Sequence, residues 1–241
     1  MTGSLDVTYP YHPDTPGRTE LLRYTAGRWT ELYAETYGVR VYVAGDGGSE
    51  EPGPRPFNRG LARNRAAAQG TGDWLALWDV DVPAPSSEER LASAIRTAGR
   101  YGWSPVWSRT VTFSPQGTRR LLDAAAAGFS YAVGPGDMYN LLPMCKGPTI
   151  VKRRVFEFIG GYDSRFNGWG HEDTALRAVL GALYGQPLPP PGDEVCWSLS
   201  LDPEDPNKRE ENIPNRELYM REYTNLDRGK ALDLLTRLRT Q

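Results

Sequence analysis

The run Trp74-Leu75-Ala76-Leu77-Trp78 is uninterrupted apolar sequence that stops at Asp79-Val80-Asp81. An apolar run without polar alternation is what a central strand covered on both faces requires. Two strand-like runs precede it, each followed by a helical period. Leu5 to Tyr9 reads as the first strand, and Pro10 to Gly17 as a loop rich in proline, aspartate and glycine. From Arg18 to Tyr37 the positions Leu21, Leu22, Thr25, Trp29, Leu32, Tyr33 and Thr36 recur at helical spacing, and Gly38 supplies a stop. Val39 to Ala44 is the second strand. Asp46-Gly47-Gly48 closes it, a polar loop runs on to Pro56, and Leu61 to Gln69 reads as a short helix ended by Gly70. The βαβαβ order predicts an α/β fold with an open, mostly parallel central sheet flanked by helices.

Further along, Ser86 and Glu89 match a capping box ahead of a helix over about 87–101. Trp103 to Phe113 resembles a strand. Ser114 to Lys152 holds a helix near 118–127 and two strand-like pieces, and Thr174 to Tyr184 shows one apolar helical face. Pro187 to Gly192 and most of Asp202 to Asn215 read as loops, with a terminal helix over Arg216 to Leu238. At 241 residues with 39% hydrophobic content, one domain with a single core is expected.

Composition excludes several roles. A formal net charge of −2 offers no basic field to hold nucleic-acid phosphates, so general nucleic-acid binding is not expected. No apolar stretch approaches the roughly 18–20 residues of a membrane span, and Met1 to Tyr11 lacks the pattern of a signal peptide, so a soluble, cytoplasmic protein is expected. Cys145 and Cys196 read as reduced, buried thiols, and His12 and His171 are too few for a histidine-rich metal centre. Any metal must therefore rely on carboxylate oxygens.

Asp79 and Asp81 sit two apart at the carboxyl end of the buried strand, where i and i+2 side chains share a side and could share one cation. Oxygen ligands suit Mg²⁺ or Mn²⁺, which use one or two carboxylates plus substrate phosphates. The plain alternative is that the pair only terminates the strand and caps a turn before Pro83. Haloacid-dehalogenase-type phosphatases also place Asp-x-Asp after an apolar strand. They want Thr or Val where this chain has Pro83, and their motif opens the domain. A second acidic pair ends Phe166-Asn167-Gly168-Trp169-Gly170-His171-Glu172-Asp173. Gly168 and Gly170 let the turn present Trp169 as a face for a carbohydrate ring, unless Trp169 is a core plug. Glu172 and Asp173 fall at a helix start, where capping alone would explain an acid and where the helix dipole is expected to lower basicity.

In this order, the signatures resemble GT-A-type glycosyltransferases, especially the galactosyltransferase and chondroitin-polymerase-like group with its Gly-Trp-Gly-x-Glu-Asp motif. Asn58-Arg59-Gly60-Leu61-Ala62-Arg63-Asn64 and the following Trp74 to Asp81 are similar to that superfamily's Asn-x-Gly-x-x-x-Ala-Arg-Asn segment and Asp-x-Asp. Gly160-Gly161-Tyr162-Asp163 looks like its Gly-Gly-Phe-Asp segment. The resemblance implies a nucleotide-binding half over 1–82, an acceptor and catalytic half over 83–215 and a C-terminal helix over 216–241. It implies transfer of a hexose or N-acetylhexosamine from a UDP-sugar to an acceptor hydroxyl, with inversion and with Mn²⁺ or Mg²⁺. The acceptor is left open among a glycan, a protein, a small molecule and a modified nucleobase. By the same resemblance Tyr9, Arg18, Asp46, Arg63, Asp79, Lys146 and Gly147 would bind the nucleotide sugar. Asp81 and Asp79 would hold the metal, Asp173 would be the base, and Glu172 and Trp169 would bind the acceptor. One departure is plain: the later strand that carries a metal-binding histidine in relatives reads Val195-Cys196-Trp197-Ser198-Leu199-Ser200-Leu201-Asp202-Pro203. Asp202 would substitute, oxygen for nitrogen, with His171 a remoter candidate; the alternatives are a metal held by Asp81, phosphates and water alone, weak metal dependence, or a non-catalytic sugar-nucleotide or glycan-binding protein.

Overall fold

The computed structural model describes residues 3–13, 15–47, 56–134, 136–142, 147–201 and 208–240. Lys146, Asp202 and Cys145 lie outside them.

Strands β1 (Leu5–Pro10), β2 (Arg40–Ala44) and β3 (Trp74–Leu77) are joined by helices α1 (Pro16–Tyr37) and α2 (Arg59–Ala68). β1 pairs in parallel with both β2 and β3, so the expected βαβαβ unit is present with β1 in its middle. Thr15 caps α1 by accepting from the Arg18 amide, and Gly38 ends it in the left-handed region at φ 53°. Asn58 caps α2 in the same way, accepting from Leu61. Strand β3 stops at Leu77, one residue short of the apolar run. Asp79 to Val82 is a turn closed by the Val82 amide on the Asp79 carbonyl (3.1 Å), so the strand rule that would put both carboxylates on one side does not apply.

Helix α3 (Glu88–Tyr101) is capped by Ser87, not Ser86, whose backbone and hydroxyl bond Glu194 instead. The expected strand over Trp103 to Phe113 is two strands, β4 (Trp103–Pro105) and β5 (Thr110–Phe113), which belong to different sheets. Helix α4 (Pro115–Ala126) follows, then β6 (Met138–Leu142), β7 (Thr149–Lys152) and the short α5 (Arg153–Phe158). β7 runs antiparallel between β3 and β4, completing a five-stranded sheet of order β2-β1-β3-β7-β4 in which only β7 is reversed. After α6 (Glu172–Tyr184), β8 (Cys196–Ser198) pairs in parallel with β5, whose other neighbour is β6. The terminal segment is two helices, α7 (Lys208–Glu222) and α8 (Arg228–Arg239). Residues 208–215 are thus helical where a loop was expected, with Glu210 and Glu211 suiting a helix start, and Pro214 is accommodated inside. Asn225 at φ 57° and the Asp227 cap separate the two helices.

The central sheet is buried on both faces, and strand alternation divides the work. Leu5, Val7, Tyr9 and Ala76 pack with Trp29 and Tyr33 of α1 and Leu91, Ile95 and Ala98 of α3. Leu75, Leu77 and Val151 pack on the other side with Phe156, Leu176, Leu180 and Leu235. No helix among the described residues is long and apolar enough to cross a membrane.

One charge is buried inside this frame. Asp6, fully shielded on β1, accepts from Arg40 (2.9 Å), Arg153 (2.7 Å) and the Gly72 amide (2.6 Å). Gly70 and Gly72 leave it room, since a Cβ on either would meet its carboxylate at 2.2 and 2.8 Å. Removing one partner of such a cluster strands the others. Asp6→Ala should therefore cost about 3–5 kcal/mol in urea unfolding, whereas a loss below about 1 kcal/mol would mean that the cluster adds little.

Candidate active site

The site is assembled where α2 meets the segment 160–173. The Asn58 Nδ2 donates to the Ser164 carbonyl (2.6 Å), and its backbone bridges to Gly168. Asn64 and Tyr162 exchange two bonds: Asn64 Nδ2 donates to the Tyr162 carbonyl, and the Tyr162 amide donates to Asn64 Oδ1, both at 2.8 Å. Gly161 must be glycine here, because its φ is 75° and a Cβ would lie 2.4 Å from Asn64 Oδ1. These bonds fasten the first turns of α2 to the second sequence signature.

Arg63 emerges between those fastenings, 1% exposed. Its Nη2 reaches Asp79 Oδ1 at 2.5 Å, and its Nη1 reaches Glu172 Oε1 at 3.2 Å and Asp173 Oδ1 at 3.3 Å. Arg59, one turn earlier and partly exposed, adds Nη2 to Asp79 Oδ1 (2.5 Å) and Nε to Glu172 Oε1 (3.4 Å). The Arg63 guanidinium also lies 5.0 Å over the Tyr162 ring, whose hydroxyl donates to Asp173 Oδ1 at 3.0 Å. One helix therefore joins the two acidic signatures through a shared pair of cations.

The carboxylates are not equivalent. Burial works to raise Asp79, but the guanidiniums of Arg63 and Arg59 outweigh it and hold this carboxyl below its ordinary range. Burial raises Asp81, and the negative charge of Asp79 adds to that. Asp173 is pushed up to about 7 by burial, with Arg63 opposing and Glu172 and Asp79 reinforcing the rise. Desolvation at this helix start thus outweighs the dipole, which had pointed to a weakened base.

Asp81 feels the charges of Arg59 and Arg18, and from β8 Ser198 Oγ donates to its Oδ2 at 2.9 Å. Its turn is held from below: Thr25 donates to the Val80 carbonyl (3.2 Å), the Trp78 indole to the Val82 carbonyl (2.9 Å), and the Leu199 amide to the Asp81 carbonyl (2.8 Å). Among the described residues no group of three or more acidic, histidine or cysteine side chains could enclose a metal. The donor set suits a hard divalent cation that shares its shell with substrate oxygens and needs one or two carboxylates. The charge balance suits it too, since Asp79, Asp81, Glu172 and Asp173 face the two guanidiniums.

Beyond the cluster, Gly168 (φ 80°), Gly170 (φ 97°) and His171 (φ 71°) carry the chain through a left-handed turn that leaves Trp169 39% exposed, so it is no core plug. Helix α7 backs this turn. Glu211 accepts from the Trp169 amide (3.0 Å), and Asn215 donates to the carbonyls of Asn167 (3.0 Å) and Trp169 (3.2 Å). A cleft of about 550 Å³ lies behind the turn, lined by Pro56, Arg165, Asn167, Glu211, Asn215 and Arg221 among others. None of the four carboxylates borders it.

The remaining sequence candidates fall in three groups. Arg18 is half-buried at the start of α1, and its charge lowers both Asp79 and Asp81. Gly147 lies against the site, since a Cβ there would be 2.9 Å from Asp79 Oδ2. Asp46 receives the Asn58 amide at 2.9 Å on Oδ2, while its Oδ1 is buried without a hydrogen bond among the described residues. Tyr9 is corrected: it is fully buried in the core beside Trp29, because β1 is covered on both faces, and cannot line an open nucleotide pocket. Arg63 is almost wholly buried and held by Asp79, Glu172 and Asp173. Sequence reasoning missed Arg59, Tyr162 and Ser198. Arg59 and Tyr162 stand inside the two motif segments and Ser198 in the strand segment that lacks a histidine, but residue type and position alone gave none of the three a role.

No protein-family model and no functionally curated protein matches the chain significantly. Among solved structures, the catalytic domain of Drosophila β1,4-galactosyltransferase 7 in complex with xylobiose is 18% identical with a TM-score of 0.41, over 73% of this chain and 59% of that one. This chain therefore spans less than two thirds of that relative. The mannosyltransferase PcManGT from Pyrobaculum calidifontis, in complex with GDP-Man and Mn²⁺, is 16% identical with a TM-score of 0.48, over 98% of this chain and 69% of that one. Glucosyl-3-phosphoglycerate synthase of Mycobacterium tuberculosis is 15% identical with a TM-score of 0.42, over 91% and 80%.

Arg63 supplies a direct test of the cluster. Arg63→Met keeps the apolar stem but leaves Asp79, Glu172 and Asp173 short of a cation, and should cost about 3–5 kcal/mol at pH 8. The loss should shrink at pH 5, where a carboxyl with raised proton affinity is neutral. Equal losses at both pH values would show that packing, not charge, makes Arg63 matter.

Proposed function

We propose that the chain is a GT-A-type glycosyltransferase that moves a hexose or N-acetylhexosamine from a UDP-sugar to an acceptor hydroxyl with inversion. The observation that carries this reading is the shared guanidinium of Arg63, which draws Asp79 of the first signature and Glu172 and Asp173 of the second into one buried cluster.

Asp81, with Asp79, would hold Mn²⁺ or Mg²⁺, which when bound supplies positive charge beside the departing diphosphate. Arg59 stands at the start of α2 with part of its side chain exposed. It would donate to diphosphate oxygens, helped by the positive end of the helix. Arg18 would add charge from the start of α1, the Gly147 backbone would allow close approach to Asp79, and Asp46 Oδ1 would accept from the base or ribose. Acceptor rings would rest on Trp169, whose indole is exposed at the left-handed turn. Glu172 would bind an acceptor hydroxyl through Oε2, its Oε1 being held by the arginines. Asp173 would take the proton of the attacking hydroxyl, a role suited to a carboxyl pushed up to about 7. The acceptor class spans glycans, proteins, small molecules and modified nucleobases.

Calorimetric titration of UDP with and without Mn²⁺, followed by donor-hydrolysis and transfer assays, tests the reading. Asp81→Ala should abolish metal-dependent UDP binding, and Asp173→Asn should spare binding while removing transfer. A base must be ionised to accept a proton. Transfer should therefore fall as pH drops through about 7, with the carboxylate form and the full rate present above it. Unchanged transfer by Asp173→Asn removes the base assignment. UDP binding without hydrolysis or transfer across a donor panel favours a sugar-nucleotide-binding protein.

A further inference from the structure

Tyr162 has a hydroxyl that the reaction outlined above does not use, in a place where its presence has chemical consequences. The side chain is 3% exposed. Its ring lies under the Arg63 guanidinium, and its backbone is fixed at both ends by the side chain of Asn64. The hydroxyl is therefore held by three independent contacts, and it donates to Asp173 Oδ1 at 3.0 Å.

We propose that Tyr162 is a positioning residue for Asp173: its hydroxyl fixes the carboxylate plane and occupies Oδ1, so that Oδ2 is the oxygen presented to an acceptor hydroxyl. This rests on the reading of Asp173 as the base. Oδ1 already carries the hydrogen bond from the Tyr162 hydroxyl and an ion pair with Arg63 Nη1 at 3.3 Å. Oδ2 receives no hydrogen bond among the described residues, and the side chain keeps 17% of its surface exposed. A carboxylate pinned by one oxygen has its other oxygen aimed by geometry. A donor that bonds the ionised form also favours that form and so restrains proton affinity. Other charges also reach Asp173: Arg63 and Arg59 on α2, Glu172 on α6, and Asp79 after β3. Of these, Arg63 and Arg59 lower its proton affinity, while Glu172 and Asp79 raise it. Tyr162 differs from them in being neutral and directional. It can set the orientation of the carboxylate without changing the charge of the cluster.

Tyr162→Phe removes the hydroxyl and keeps the ring beneath Arg63. The side-chain ¹³C titration of Asp173 in the full chain should move up by about 1 pH unit, as expected for loss of a hydrogen bond to a charged group. The acid limb of the transfer rate should move with it, giving about a fivefold lower kcat at pH 7 with the KM for the UDP-sugar unchanged. Fluorotyrosine at position 162, a more acidic donor of nearly the same shape, should move both midpoints down. It also keeps the test available if the phenylalanine variant folds poorly. Titration midpoints that stay in place in both variants overturn the proposal, whatever happens to the rate. Failure of the base reading looks different: Asp173→Asn would retain transfer while the Asp173 midpoint still responded to Tyr162.

Discussion

A guanidinium with 1% of its surface exposed survives only if anions meet it, and for Arg63 those anions come from two distant parts of the chain. Asp79 lies after a central strand, while Glu172 and Asp173 open a helix more than ninety residues later. The cost of leaving any one of these charges buried and unpaired is several kcal/mol. The fold around them is therefore constrained to close β3, α2 and α6 onto one point. The other fastenings of α2 read as consequences of that demand. Asn58 and Asn64 bond the backbone of 162–164, and Gly60 and Gly161 permit the approach. A displacement of α2 by even one residue would remove the cation from all three carboxylates.

The same arrangement sorts the acids by role. Asp79 is held ionised by two guanidiniums, while Asp81 and Asp173, on either side of it, have raised proton affinities. With all four acids ionised, the cluster carries two more negative charges than positive ones. Either protons or a divalent cation can make up that difference, and the two raised carboxyls are where protons would go first. The second sheet contributes by placing Ser198 and the Leu199 amide on Asp81. The core contributes through Thr25 and Trp78, which hold the turn that carries it.

Much of this was legible in the sequence, and the losses have physical causes. The βαβαβ unit followed from hydrophobic periods and glycine stops, because those patterns are local. The apolar run marked β3 correctly but hid its end: Trp78 is apolar and fully buried, yet it lies between the strand and the turn, where its indole bonds the Val82 carbonyl. Tyr9 looked like a pocket residue because it ends a strand, and only the packing of Trp29 over it shows that it is covered. Arg63 was recognised as important but its burial was not, since a motif gives residue order without depth. Tyr162 matched a position that is phenylalanine in the resembling pattern, so its hydroxyl carried no signal before Asp173 was found 3.0 Å away. The helical start of α7 was obscured by Pro214, a residue that ordinarily argues against a helix interior.

Arg63 also makes the two acidic pairs electrically dependent on each other. Its charge lowers the proton affinity of Asp79 and of Asp173 at once, while the charge on Asp79 raises that of Asp173. Coulomb interactions in a desolvated cluster fall off slowly compared with those at the surface. Positive charge brought beside Asp79 would therefore be felt at Asp173 as added stabilisation of its ionised form. A carboxyl that titrates near neutrality is the kind of group on which such a change is visible, because a small shift there alters its ionised fraction substantially. Charges on the exposed face of α3, such as the Arg96–Glu89 pair, have no comparable leverage, since water and salt screen them. The burial that makes Arg63 expensive is thus also what allows one helix to link a strand end and a helix start into a single titrating unit.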